Sequence, residues 1–247
     1  MILFLEDWGK YPDAIIDIKT KNESFIRTAG IYKAMGIANH AFLLALHNPM
    51  LQGIDPHDPN LTPEMIKLIG VECKQNPWYV FREVIKVPAK STVENPPLRA
   101  NRGNIALWWL FFNHITTMLI QPRQTGKSLS TDSLMVNLLC ISTLNTAYSL
   151  LTKDDSLRTH NVARLKELIS GLPWYLNLRN KKDANNTERI TINRLGNTYE
   201  TNVAQLSPKA ALNTGRGMTN AINHIDEIAF ISNIDITLPA MLAATGK

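Results

Sequence analysis

Cysteine is almost missing from this chain: Cys73 and Cys140 are the only two in 247 residues. That excludes a fold stapled by several disulfides. Cys140 lies in an apolar helical stretch and Cys73 in an amphipathic one, so both are expected as buried free thiols in a reducing cytoplasm. Metal-ligand spacings are lacking too. His40, His47, His57 and Cys73 match no usual zinc pattern, and Asp55 and Asp58 lack the remainder of a calcium loop and suit turns instead. No apolar run reaches the length of a bilayer span; the longest, 105–120, is broken by Asn113 and His114. The first seven residues carry no basic stretch ahead of their short apolar run, so no signal peptide is expected. Repeats and low-complexity tracts do not occur.

What remains is 45% hydrophobic and 19% charged, the balance of a globular protein with a sizeable core. The formal net charge of +5 permits a polyanionic partner without requiring one. Residues 1–95 are expected to form a helical subdomain, with helices over 24–36 and 39–47 and a loop over 51–61. Thr62 and Pro63 stand as N-cap and first residue of a further helix, which buries Met65, Leu68, Ile69 and Cys73 along one face. The Pro-rich stretch 88–101 reads as a linker to a second domain, 96–247. A helix over 101–112 carries Trp108, Trp109, Phe111 and Phe112. Such residues suit a buried helix better than a base-stacking platform.

The stretch 120–128 organises the second domain. Gly126-Lys127-Ser128 is the closing half of a phosphate-binding loop, G-x-x-x-x-G-K-[ST], with Gln121 where the first glycine normally stands. Backbone N–H groups at a helix start attract phosphate oxygens, Lys127 adds a charge, and the Ser128 hydroxyl suits Mg²⁺. Residues 116–120 are β-branched and apolar, as expected of a buried strand feeding that loop, and 128–141 has a helical apolar face. Much later, 221–227 reads as a short strand ending in two carboxylates. Asp226 is expected to hold Mg²⁺ and Glu227 to polarise the attacking water. Strands are also expected at 147–152, 188–193 and 197–204, and helices at 155–172 and from 238. This alternation predicts an α/β fold with a mostly parallel three-layer sheet of the RecA-like (ASCE) P-loop type, preceded by the helical subdomain. Lys181, Lys182 and Lys209 suit a solvated face as well as a DNA track.

With these motifs in view, the chain resembles the large terminase subunit of tailed bacteriophages, the ATPase that drives DNA into the capsid. Arg123-Gln124-Thr125-Gly126-Lys127-Ser128 is similar to that family's phosphate loop, which is often degenerate at its first glycine. Asp226-Glu227-Ile228-Ala229-Phe230 is similar to its Walker B continuation, Arg216-Gly217 to an Arg-Gly pair before it, and Leu98-Arg99 to its adenine-binding motif, with the usual Gln of that motif replaced near Asn101-Arg102. The resemblance covers about 98 to the end. It implies Mg²⁺-dependent ATP hydrolysis with Lys127, Glu227 and Arg123 catalytic, Arg123 acting as an arginine finger or sensor. Nucleotide contacts are implied for Gln121, Pro122, Arg123, Gln124, Thr125, Gly126, Lys127, Ser128, Arg99 and Arg216, and metal contacts for Ser128 and Asp226. It implies double-stranded DNA, a portal protein and a small terminase subunit as partners. It further implies a homo-oligomeric ring in the host cytoplasm, transiently at the procapsid portal vertex, and no membrane. The family's threonine-rich coupling motif and nuclease domain find no counterpart, so the chain is expected to be the N-terminal part of a longer protein that hydrolyses ATP weakly alone. Two alternatives stay open: a helicase-like DNA-stimulated ATPase, and a nucleotide-binding assembly module without turnover.

Overall fold

The computed structural model describes residues 13–89, 95–122, 125–214 and 220–244. The chain divides into two units, 1–137 with 167–177, and 138–166 with 178–247. Residues on both sides of position 95 belong to the first.

The first unit is mainly helical. Its helices are α1 (Glu23–Ala34), α2 (Pro63–Gln75), α3 (Pro77–Tyr79), α4 (Arg102–Phe112) and α5 (Lys127–Val136). α2 starts as its sequence dictates: Thr62 Oγ1 accepts the Met65 N–H at 3.3 Å and Pro63 occupies the first turn, where no N–H is needed. The expected helix over 39–47 is instead a 3₁₀ turn, His40–Leu44, followed by a two-residue strand, β2 (Ala45–Leu46). This pairs antiparallel with β1 (Ile15–Ile16), a pair too short to leave any periodicity in the sequence. The stretch 95–98 is tied down by backbone bonds, Val87 N–H to Pro96 O at 2.8 Å and Leu98 N–H to Ile85 O at 3.2 Å. Aromatic rings fill the core. Phe81 stacks on Trp108 with centroids 4.0 Å apart, and Phe42 meets Trp78 edge-on at 4.8 Å. The helix 101–112 therefore turns Trp108 inward, as its composition implies.

Arg82 is the polar pivot of this core. Only 1% exposed, it donates through Nη1 to Leu43 O at 2.6 Å and pairs with Glu83 at 2.7 Å and Asp17 at 3.4 Å. A buried guanidinium is tolerated only when so many donors find acceptors.

The segment 116–120 departs from expectation: it forms no strand. Met118 is 69% and Ile120 86% exposed, so the β-branched run carries strand propensity without a ladder to satisfy it. A strand is a property of a pair, and no neighbour among the described residues hydrogen-bonds this stretch in a sheet.

The second unit is α/β. Its strands are β3 (Ala147–Thr152), β4 (Arg189–Ile192), β5 (Asn197–Val203) and β6 (Ile222–Ile225), in the order β4-β5-β3-β6. β3 pairs parallel with both β5 and β6, while β4 and β5 form an antiparallel hairpin, so the sheet is mixed and mostly parallel. α6 (Asp155–Ser170, of which 155–166 belong to this unit), the short α7 (Pro208–Ala211) and α8 (Ile234–Ala244) complete the helices. Leu151, Ala204, Ile231 and Met241 form one buried cluster, which joins β3 to α8 and lies just below the strand ends considered next.

Asn197 anchors the hairpin. Only 1% exposed, it donates to Leu139 O at 3.0 Å and Ser142 O at 2.7 Å, and accepts the Thr146 N–H at 3.0 Å. These bonds close the end of the π-helical turn Asn137–Ile141, where a helix end leaves carbonyls to be satisfied from outside. Replacing Asn197 by Ala leaves buried groups unpaired. It should destabilise the fold by about 1–3 kcal/mol in urea denaturation, because each such group costs its full desolvation.

Candidate functional site

The phosphate-loop residues are built on the first unit. Asn101 caps α4 by accepting the N–H groups of Gly103 and Asn104 at 2.9 and 3.0 Å, and Asn104 Oδ1 returns the favour to the Asn101 N–H at 2.8 Å. The Asn101 amide also reaches Thr125 O at 3.5 Å, which joins the start of α4 to the loop ahead of α5. Thr125 Oγ1 in turn bonds Gln121 Oε1 and Pro122 O, each at 3.0 Å, so a side-chain contact closes the loop across the position where the usual first glycine is missing. Gly126 adopts φ +79°, a conformation that only glycine takes without strain, and from it α5 begins.

Lys127 and Ser128 occupy the first turn of α5, both half-buried. Neither has an ion pair or side-chain hydrogen bond to a described residue. The free N–H groups and the dipole of a helix start favour an anion beside them. Further along, Ser130 Oγ bonds Gly126 O at 2.8 Å and Trp108 Nε1 bonds Ser130 O at 2.9 Å, which ties the buried aromatic core to this turn. Arg123, Gln124 and Arg216 lie outside the described residues.

Arg99 is exposed and lines a cleft of about 550 Å³ in the same unit, together with Lys21, Arg27, Asn101 and Arg102. The cleft is fixed by Asn22, whose amide donates to Arg82 O and Leu98 O at 2.9 Å each, and by Ser24 Oγ, which accepts the Ala100 N–H at 2.9 Å. Asn101 borders both this cleft and the Thr125 carbonyl. Lys21 and Arg27 carry no sequence signal for such a role; only the fold brings them beside Arg99.

The carboxylates are built on the second unit. Parallel pairing sets Leu151 opposite Ile225, and the Asp226 N–H extends the ladder to Leu151 O at 3.0 Å. Lys153 and Glu227 therefore leave the same edge of the sheet, the carboxyl ends where open α/β sheets bind ligands. Asn161, 3% exposed on α6, donates to Asp226 Oδ2 at 2.8 Å and accepts from Arg164 at 3.1 Å. Asp226 Oδ1 takes the Glu227 N–H at 3.0 Å. Each carboxylate oxygen keeps a further lone pair, so Asp226 suits a hard cation such as Mg²⁺ as one of few protein ligands. Among the described residues no three His, Cys, Asp or Glu side chains form a metal cage. A Mg²⁺ that shares its shell with phosphate and water does not need one.

Glu227 has φ +52°, in the left-handed region. Its carboxylate pairs with Lys153 Nζ at 2.8 Å, and that hydrogen bond raises the Lys153 pKa. The Lys153 ammonium lies 5.4 Å from the Phe230 ring centre. On β6, burial pushes the His224 imidazole down to about 4; neighbouring Asp226 opposes that shift and Arg164 adds to it. Sequence reading singled out Asp226 and Glu227, which follow β6. It missed Lys153, Asn161 and His224 as their neighbours, although Lys153 directly follows a strand expected beside them.

Comparison with models of known protein families finds no match, and comparison with curated proteins finds no relative. The arrangement stands on its own geometry.

His224 sets a pH dependence. Its folded pKa lies below the ordinary value of about 6.5, so the folded state resists protonation. Stability from this residue is complete above pH ~6.5, is lost as pH falls toward 4, and changes no further below that. Thermal unfolding of a His224→Gln variant should therefore show a shallower loss of Tm between pH 6.5 and 4 than the parent chain.

Proposed function

We propose that this chain is the ATPase portion of a DNA-packaging motor of the large-terminase kind, coupling Mg²⁺-dependent ATP hydrolysis to movement of double-stranded DNA. The observation that carries the nucleotide reading is Gly126, left-handed and opening α5, with the Lys127 and Ser128 side chains in its first turn bonded to none of the described residues. The motor-level part rests on the motifs at 98–99, 123–128, 216–217 and 226–230. Portal protein, small terminase subunit, a ring of identical subunits, and the procapsid vertex in the host cytoplasm belong to that same part.

The first unit contributes the phosphate-holding group. The backbone N–H groups at the start of α5 and the Lys127 ammonium bind the β- and γ-phosphates, and Arg99 with its cleft is available to the nucleoside end. The second unit contributes the carboxylates. Asp226 would supply a hard oxygen ligand for Mg²⁺, which when bound would neutralise charge on the phosphates; Ser128 is assigned to the metal from its motif alone. Glu227 accepts a proton from water as the water oxygen bonds to the γ-phosphorus; the bond from that phosphorus to the bridging oxygen breaks, and ADP leaves with the electron pair. Arg123 and Arg216 are assigned, from the motifs alone, to charge stabilisation and γ-phosphate sensing.

Steady-state ATP hydrolysis with Mg²⁺, with and without double-stranded DNA, tests this reading together with nucleotide affinity. Glu227→Gln should lower turnover by about 10²-fold or more while affinity holds. Lys127→Ala should weaken ATP binding roughly 10- to 100-fold, the scale of hydrogen bonds to a charged group. Unchanged turnover in the first variant removes Glu227 as base, and unchanged affinity in the second removes the phosphate loop.

A further inference from the structure

Four cations border the cleft of the first unit. Lys21 and Arg27 come from the start of α1 and the residues just before it, Arg99 and Arg102 from the start of α4 and the residues just before that. All four are exposed, and none has an ion pair or side-chain hydrogen bond to a described residue. Glu23 is the one carboxylate among the described lining residues, and it too is unpaired with them.

The fold brings these charges together and holds them there. Asn22, 3% exposed, follows Lys21, and its amide donates to the carbonyl of Leu98, the residue before Arg99. Ser24 Oγ accepts the N–H of Ala100, the residue after Arg99, at 2.9 Å. Like charges crowded into one concavity repel each other, and its walls focus their field on whatever enters. The bonds at Asn22 and Ser24 oppose that repulsion, and no described acid relieves it by pairing. An anion in the cleft does.

ATP bound at the start of α5 leaves most of this charge unused. A nucleoside is uncharged, so Arg99 suffices at that end and Lys21, Arg27 and Arg102 are in excess. Lys127 does not line the cleft, so the triphosphate does not account for them either. Three of the four cations are arginines, whose planar forks match phosphate oxygens two at a time.

We propose that the cleft of Lys21, Arg27, Arg99 and Arg102 is a second phosphate site, distinct from the start of α5, for phosphate groups carried by a free polyphosphate anion or by a nucleic-acid backbone. It goes beyond the ATPase reading and does not rest on it, because binding here needs no turnover and changes no covalent bond.

The test uses the full chain without nucleotide: the parent, Lys21→Gln with Arg27→Gln, Glu23→Gln, and Lys181→Gln with Lys182→Gln as a control on the second unit. Every substitution falls on an exposed side chain, and matching Tm values verify folding. Two probes separate the sources. Anisotropy of a labelled DNA duplex reads the backbone. The slope of log K against log salt should fall in magnitude by about 2 in Lys21→Gln with Arg27→Gln, near 0.9 for each lost contact. Calorimetry with tripolyphosphate, in a Lys127→Ala background that weakens the α5 site, reads the free anion. Its affinity should drop roughly 10-fold or more in the same variant. Glu23→Gln should tighten whichever probe binds by about two- to fivefold, the scale of one exposed charge. A loss with the duplex alone assigns the cleft to a backbone, a loss with tripolyphosphate alone to a free anion, and a loss with both to phosphate from either source. If neither probe responds to Lys21→Gln with Arg27→Gln, or the control variant moves them equally, the site is overturned. The ATPase reading is untouched by that result, since it stands or falls with Lys127 and Glu227.

Discussion

The parallel pairing of β3 with β6 is the constraint on which the placement of the second unit's carboxylates depends. Parallel strands emit their carboxyl ends at one edge, and the register Leu151 to Ile225 brings Thr152 and Lys153 level with Asp226 and Glu227. A shift of one residue would turn every side chain of β6 to the opposite face. Asp226 would then lose Asn161, and Glu227 would lose Lys153. The register is secured from below by the cluster of Leu151, Ala204, Ile231 and Met241. Burying each large aliphatic chain there contributes about 1.5–3 kcal/mol, whereas the polar contacts at the edge each contribute less. Packing fixes where the carboxylates are, and hydrogen bonds decide only how they point.

The backbone at Glu227 shows that position is held against a local preference. Among the described non-glycine residues, His114, Asn145 and Asn233 also have positive φ, but histidine and asparagine are enriched in that region. A glutamate has no such excuse, and holding it there costs on the order of 1–3 kcal/mol. The cost is met by the 3₁₀ turn Ile228–Phe230 and by the Asp226 carboxylate that receives the Glu227 N–H. Asp226 and Glu227 are thus mechanically one unit, and disturbing either side chain disturbs the placement of the other.

Local signals were legible and pairwise ones were not. The start of α5 is announced by Gly126 and the start of α2 by Thr62-Pro63, because a helix end is satisfied by residues within one turn of it. β3, β5 and β6 have composition enough to be read as strands. The segment 116–120 has the same composition and is no strand, since composition cannot say whether a partner is present. Likewise Asp226 and Glu227 stand out by adjacency, while Lys153 and Asn161 become their neighbours only through the sheet and α6. The split into units also escapes the sequence. The Pro-rich stretch suggested a break near 95, yet Asn22, on one side of it, holds the carbonyl of Leu98 on the other.

The phosphate loop shows how a missing glycine is made good elsewhere. The first glycine of such a loop normally permits a tight approach of backbone to backbone. Here Gln121 takes its position, and its side-chain oxygen receives the Thr125 hydroxyl, so a hydrogen bond replaces backbone freedom as the closure. That solution needs room for the Gln121 amide, and the room lies over Gly103 in the first turn of α4. A Cβ at Gly103 would collide with the Gln121 amide nitrogen. A side chain at position 103 would thus have to displace the Gln121 amide. Asn101, which caps α4 through the Gly103 N–H and also reaches the Thr125 carbonyl, binds the two positions into one structure. The stretch is degenerate as a motif, and the contacts around it are spread over Asn101, Gly103, Gln121 and Thr125.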